Sequence, residues 1–75
     1  MCSLKLKKTL KVIRKELNED FEVFDNEEIT NKLFVKCNTL SKIAFILELN
    51  QNELGIQYQR FPDFIKIEEN NYGKN

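Results

Sequence analysis

A chain of 75 residues has room for one domain only, because a domain of about 60 residues already buries no more than ~60% of its unfolded surface. With 41% apolar and 32% charged residues, the composition is that of a folded chain and excludes an intrinsically disordered one. Twelve basic and twelve acidic residues cancel, so the chain lacks the strong net charge typical of proteins dedicated to nucleic acid or anionic membranes.

The first predicted element is an amphipathic helix over residues 4–17. Its apolar residues recur at the 3.6-residue period and form one narrow stripe, Leu6, Leu10, Ile13 and Leu17. The opposite side carries a basic cluster, here called the basic helix face: Lys7, Lys8, Lys11, Arg14 and Lys15. Cations near a helix N-terminus oppose the macrodipole, and like charges four residues apart repel each other. The cluster is therefore either a binding surface or a solvated face.

Beyond residue 20 the apolar period changes from 3.6 to 2, which is typical of β-strands. The clearest strand is predicted over residues 29–37, where Leu33 and Val35 point to one side and Phe34 to the other. Further strands are predicted at residues 21–24, 43–49, 54–60 and 64–68. The connections between the later strands are short and contain turn residues, which favours antiparallel hairpins.

The strand predicted over residues 43–49 fixes the expected register. Its inner residues are Ile43, Phe45, Leu47 and Leu49, and Ile46 lies on its outer side. Because outer residues pair with outer residues across a sheet, Phe34 is expected opposite Ile46. The outer sheet side is then expected to present six residues together, with Phe64 and Lys66 beside them: Lys32, Phe34, Lys36, Ile46, Gln57 and Gln59.

The expected fold class is α+β, with one N-terminal amphipathic helix packed on an antiparallel meander sheet in two layers. The sheet has four strands, or five if residues 21–24 join it. Residues 1–68 form this single domain. Residues 69–75 form a polar C-terminal tail, which we expect to be mobile because a single aromatic residue among polar ones gives little to bury.

Catalytic chemistry has little support in the sequence. Histidine is absent, which removes the commonest general base and the commonest metal ligand. Gly55 and Gly73 are isolated, so neither belongs to a phosphate-binding glycine loop. The acidic cluster Asp25, Glu27 and Glu28 lacks the glycine and distal glutamate of a calcium loop and is interpreted as a solvated loop. We therefore expect no enzyme activity, no cofactor and no metal.

The cysteines and the hydropathy pattern bear on location. Cys2 and Cys37 have neither metal-ligand nor redox spacing, so we expect reduced thiols, with Cys37 as a small apolar residue of the core. The first residues lack the apolar run of a secretory signal, and no segment approaches the ~20 apolar residues of a membrane span. The expectation is a cytoplasmic protein that does not engage a membrane.

The outer sheet side is the second candidate binding surface beside the basic helix face. Phe34 and Ile46 surrounded by lysine and glutamine resemble the apolar centre and polar rim of a protein interface. An aromatic ring among lysines also fits a platform for single-stranded nucleic acid. In a third interpretation, residues 21–24 or the tail fold over this side and cover it.

The function favoured by the sequence is a small protein-binding module, an inhibitor or adaptor that occludes a partner's surface. Zero net charge and only two arginines, Arg14 and Arg60, disfavour a dedicated nucleic-acid binder, so weak binding of single-stranded RNA or DNA is the alternative. Abundant Lys, Asn, Ile and Phe are typical of AT-rich coding and indicate a low-GC bacterium, its phage or a plasmid, of which a phage or another mobile element is the favoured source. A homodimer stays open, because so small a domain gains from extra burial.

Overall fold

The computed structural model describes residues 4–26 and 29–70, with no side-chain detail for residues 25–31. Two helices and four strands occur in this part of the chain. The helices are α1 (Leu4–Glu16) and α2 (Leu40–Leu54). The strands are β1 (Glu22–Asn26), β2 (Ile29–Lys36), β3 (Ile56–Arg60) and β4 (Ile65–Glu69). Each helix therefore precedes one β-hairpin, β1 with β2 and β3 with β4.

The strands form one antiparallel sheet in the order β1-β2-β4-β3. The α+β class and the four-stranded antiparallel sheet agree with the sequence prediction, but the meander order was wrong. β4 rather than β3 lies beside β2, where Val35 faces Ile65 and Leu33 faces Ile67. The cause is α2, which separates the two hairpins and carries the chain to the far edge of the sheet, so that the second hairpin returns β4 to the centre.

The strand predicted over residues 43–49 was wrong, because these residues lie within the 15-residue helix α2. Helical spacing turns Ile43 and Leu47 toward the core and leaves Phe45 and Leu49 facing solvent. Ile43 and Leu47 are four residues apart, so they satisfy a period of 2 as well as the helical period. The exposed pair completed the apparent alternation and produced the incorrect strand.

Ile46 was predicted to lie on the outer sheet side opposite Phe34, and this was also wrong. It belongs to α2 and is only 9% exposed, on the side of the helix nearest α1. Phe34 instead faces Phe24 on β1 and Lys66 on β4. The predicted register between residues 29–37 and 43–49 therefore does not exist.

Gly55 ends α2 and starts the second hairpin. Its backbone has φ 71° and ψ 38°, a left-handed conformation that glycine adopts without a Cβ clash. Its N–H donates to the carbonyl oxygen of Gln51 at 2.9 Å, and its own carbonyl accepts the N–H of Asn70 at 2.9 Å. The short connection predicted between the strands at residues 43–49 and 54–60 lies inside the helix instead.

One apolar core joins both helices to the inner side of the sheet. α1 contacts α2, β2 and β4, and α2 contacts β3. The inner strand residues are the predicted ones: Leu33, Val35, Ile56, Ile65 and Ile67 are all buried. The helices contribute the predicted stripe of α1, with Leu6, Leu10, Ile13 and Leu17 buried, and from α2 Leu40, Ile43, Ile46 and Leu47. Neither helix packs against the outer side of the sheet.

Further sequence predictions concern the C-terminal tail, the two cysteines, the acidic cluster and membrane spans. β4 runs through Glu69, one residue into the predicted tail, and Asn70 is hydrogen-bonded to Gly55. Cys37 has a free thiol that packs against the core and accepts the N–H of Thr39 at 3.3 Å. Cys2, the acidic cluster at residues 25–28 and residues 71–75 lie outside the described residues or side chains. Neither α1 nor α2 has the length and apolarity needed to cross a membrane.

Candidate functional site

The outer sheet side brings together five of the six residues predicted for it. β2 supplies Lys32, Phe34 and Lys36, and β3 supplies Gln57 and Gln59. β4 lies between these two strands and adds Lys66 and Glu68 to the same side. Cross-strand pairing forms one row of Phe24, Phe34, Lys66 and Gln59, and a second row of Lys32, Glu68 and Gln57.

Four phenylalanines cross this side, and we call them the aromatic strip: Phe24, Phe34, Phe64 and Phe61. Phe24 lies opposite Phe34 and is 48% exposed. The rings of Phe34 and Phe64 meet edge to face with centroids 5.8 Å apart, and Phe61 stacks on Phe64 at 4.8 Å. The N–H of Phe61 donates to the carbonyl oxygen of Phe64 at 2.8 Å, which closes the β3–β4 turn and sets both rings at its base.

The lysines around the aromatic strip each have a carboxylate on a neighbouring position. Lys36 lies opposite Glu22, and Lys32 lies opposite Glu68. Lys66 Nζ is 3.8 Å from Glu68 Oε1. Of these pairs, only Lys66 and Glu68 lie within salt-bridge distance, and their side chains are 24% and 23% exposed. Together Glu22 and Glu68 offset two of the three lysine charges around the strip.

A second exposed apolar surface lies on α2, and sequence reasoning missed it. Phe45 and Leu49 are one helical turn apart and are 65% and 68% exposed. Lys42 and Glu53 continue the same face of the helix to either end, and we call these four residues the α2 stripe. A groove of about 590 Å³ runs beside it, lined by three of these residues, Lys42, Phe45 and Leu49, and by Glu16, Leu17, Ser41, Ile46 and Asn50.

Glu19 fixes the N-terminal end of α2 to the loop after α1. Its carboxylate accepts the Thr39 hydroxyl at 2.9 Å and lies 3.2 Å from Lys42 Nζ. The hydrogen bond from Thr39 and the ammonium of Lys42 lower the pKa of Glu19 below its ordinary value of 4.5. At the other side of α2, the Tyr58 hydroxyl donates to Glu48 at 2.7 Å, which raises the pKa of Tyr58.

All five residues of the basic helix face are exposed on α1. The Arg14 guanidinium lies 5.5 Å from the centre of the Phe21 ring, a cation–π contact. Among the side chains that the structure describes, the other four form no ion pair within the 4.0 Å limit for a salt bridge. One of the five charges of the basic helix face is therefore already engaged.

Within residues 4–24 and 32–70, whose side chains the structure describes, no group of three or more Cys, Asp or Glu side chains converges on a point where an ion could sit. Comparison of the chain with family models, with curated proteins and with solved structures found no significant match. Function is therefore inferred from the chain's own residues.

Proposed function

We propose that the protein is a small, non-enzymatic protein-binding module, an inhibitor or adaptor that occludes a partner's surface with the outer side of its sheet. The observation that carries this proposal is the aromatic strip, four phenylalanines on a sheet side that neither helix packs against. Aromatic residues are enriched at the centres of protein interfaces, where a few side chains account for most of the binding energy.

The surroundings of the strip favour a protein over a polyanion. Gln57 and Gln59 offer uncharged hydrogen-bonding groups, and Glu22 and Glu68 offset two of the three lysine charges. A polar rim around an apolar centre is the usual plan of a non-obligate interface. Because two carboxylates offset two of the three lysine charges, the rim offers little of the counterion release that dominates binding to nucleic acid.

Single-stranded nucleic acid is the second candidate. The observation in its favour is that Lys32, Lys36 and Lys66 lie on the same side as the rings, as in platforms where bases stack and lysines contact phosphates. The contacts of Phe64 count against it, since Phe61 already stacks on that ring and Phe34 meets it edge-on. The protein-binding proposal therefore ranks first.

The setting that we propose is the cytoplasm of a bacterial cell, with the gene carried by a phage or another mobile element. The two cysteines, which have neither metal-ligand nor redox spacing, support a reducing compartment. The abundance of Lys, Asn, Ile and Phe supports an AT-rich genome. A lysate of an AT-rich bacterium, treated with nuclease, is accordingly the first source in which to look for a partner.

A capture experiment tests the proposal by comparing substitutions on the two apolar surfaces. Immobilised wild type should retain a protein that Phe24→Asp loses, because a charge desolvated at an interface centre has no partner. Phe45→Asp on α2 is the matched control and should retain it. Phe24 is chosen because it is half-exposed, so its substitution leaves the fold intact, as circular dichroism would verify. Capture that survives Phe24→Asp contradicts the proposal.

Phe34→Leu separates the two candidate partners. An apolar protein pocket accepts an aliphatic side chain of similar volume, so captured protein should be kept. Stacking on a base needs the ring, so affinity for oligo(dT) or oligo(U) would fall by about 1–3 kcal/mol. Fluorescence anisotropy measures the second case, and Lys32→Ala would then also flatten the salt dependence.

A further inference from the structure

The α2 stripe needs an explanation that the aromatic strip does not supply. A single exposed leucine is ordinary on a protein surface, but Phe45 and Leu49 are adjacent, large and both about two-thirds exposed at 65% and 68%. The groove beside them is continuous with the core through Ile46 and Leu17. Contiguous apolar surface of this kind marks a contact site.

The charges at the two ends of the stripe indicate what covers it. Lys42 lies in the first turn of α2 and Glu53 in the last, about 16 Å apart along the axis at a rise of 1.5 Å per residue. Both are exposed, and Lys42 keeps 62% of its side-chain surface free despite its bond to Glu19. The stripe thus has a cation at one end, an anion at the other and apolar residues between them.

A stripe with this pattern is complementary to itself when reversed. Two copies of α2 packed antiparallel place Lys42 of each copy beside Glu53 of the other, with Phe45 and Leu49 between the two charge pairs. Two copies packed parallel place Lys42 beside Lys42 and Glu53 beside Glu53, and like charges at such positions repel. The sequence of the stripe therefore selects the antiparallel arrangement.

We propose that a second copy of this chain covers the α2 stripe, in a homodimer whose α2 helices pack antiparallel about a two-fold axis near Leu47 and Glu48. Closed two-fold contacts are the commonest form of self-association and use the same surface on both copies. The two-fold axis places Phe45 of the second copy next to Asn50 of the first, in the part of the groove that Ile46 and Leu49 also line. The groove receives that ring.

Two features of the chain make the arrangement effective. Tyr58 holds Glu48 toward β3, so that this carboxylate does not add a like charge to the contact. A chain of 75 residues also has a small core, and burial against a second copy adds apolar contact that the monomer lacks. Because α2 packs on the inner side of the sheet, the dimer leaves both aromatic strips facing outward.

Sedimentation equilibrium of the full chain tests the dimer by charge exchange. Wild type should dimerise with increasing concentration. Lys42→Glu and Glu53→Lys should each raise the dissociation constant by about tenfold, since the two-fold axis makes each substitution act twice. The doubly substituted chain, Lys42→Glu with Glu53→Lys, should recover the affinity of the wild type. Asp63→Lys, in the exposed β3–β4 turn, is the matched control and should change nothing.

Leu49→Asp gives an independent measurement, because it alters an exposed residue and should abolish the dimer without unfolding the monomer. The proposal is overturned if wild type is monomeric at every concentration, if Leu49→Asp leaves a dimer intact, or if the double exchange is no better than either single one. If wild type is monomeric and captures a foreign protein that Leu49→Asp does not, that protein covers the α2 stripe and the dimer proposal is overturned. Phe24→Asp should leave the dimer intact, which keeps this result separate from failure of the sheet interface.

Discussion

The aromatic strip on the sheet and the α2 stripe both expose apolar side chains, but the two surfaces differ in how those side chains are supported. On the sheet, Phe34, Phe64 and Phe61 contact one another and are each half-buried before any partner arrives. On α2, Phe45 and Leu49 stand at 65% and 68% exposure. Burial is worth roughly 25 cal/mol for each Å² of apolar surface, so the α2 stripe gains more from being covered. We therefore expect the α2 stripe to be covered permanently and the outer sheet side to bind its partner reversibly.

The largest expected effect tests which side of α2 belongs to the core. Leu47 is fully buried, whereas Leu49 lies two residues on and faces solvent. Leu47→Ala should lower the free energy of unfolding by about 2–5 kcal/mol, because it leaves a cavity. Leu49→Ala should change it by less than about 0.5 kcal/mol. Urea unfolding at a concentration below that of dimerisation measures both.

Equal losses for the two leucine substitutions would mean that α2 is rotated about its axis and that the stripe is part of the core. The difference in exposure between the partly buried rings of the sheet and the side chains of the α2 stripe would then not exist. Ile43→Ala offers a second buried position on the same helix and should behave like Leu47→Ala.

A smaller effect is expected within the aromatic strip. Phe64 contacts both Phe34 and Phe61, and each aromatic pair is worth about 0.5–1.5 kcal/mol beyond area burial. Phe64→Ala should therefore lower the free energy of unfolding by about 1–3 kcal/mol. Phe24→Ala, at the edge strand and half-exposed, is the control and should cost less than about 1 kcal/mol. If Phe64→Ala costs no more than Phe24→Ala, the rings do not support one another.

The sequence predicted those elements whose pattern is simple. α1 has one apolar stripe, and the inner residues of β2 and β4 alternate with outer ones, so the local period gives both the element and its buried side. α2 failed because Phe45 and Leu49 are apolar without being core residues, and they imitate a period of 2. The residues that hid the helix are the two exposed apolar residues of the α2 stripe, Phe45 and Leu49. Gly55 was the signal that favoured a helix, because glycine is the commonest residue directly after the last turn of a helix.

The residues of the candidate surfaces also divide into those that the sequence could place and those that it could not. Lys32, Phe34 and Lys36 could be placed on one sheet side because alternation along a strand is a local property. Phe24 and Phe61 could not, since their positions depend on the pairing of β1 with β2 and on the β3–β4 turn. The strand order places Lys66 between Phe34 and Gln59. This order depends on α2, so it could not be predicted once residues 43–49 had been predicted as a strand.

The smallest expected effect concerns pH and acts on the α2 side of the molecule alone. The hydroxyl of Thr39 and the ammonium of Lys42 lower the pKa of Glu19 in the folded state below its ordinary value of 4.5. A group with a lowered folded pKa stabilises the fold fully above its unfolded pKa, and this contribution is lost as the pH falls through the folded pKa. Glu19 therefore supports the start of α2 at neutral pH and releases it in acid.

Glu19→Gln isolates this contribution, because glutamine still accepts the Thr39 hydroxyl but carries no charge for Lys42. The difference in stability between wild type and variant should be largest at neutral pH and should vanish as the pH falls below 4.5 and through the lowered folded pKa. Amide hydrogen exchange shows where it acts: the first turn of α2 should exchange faster in the variant, and β2 and β4 should not change. A difference that persists in acid, or one that appears in the sheet, would mean that Glu19 acts through something other than its charge on Lys42. Because Lys42 also begins the α2 stripe, loss of the Glu19 charge frees it to pair with Glu53 of a second copy, so at neutral pH the variant should dimerise at least as well as wild type.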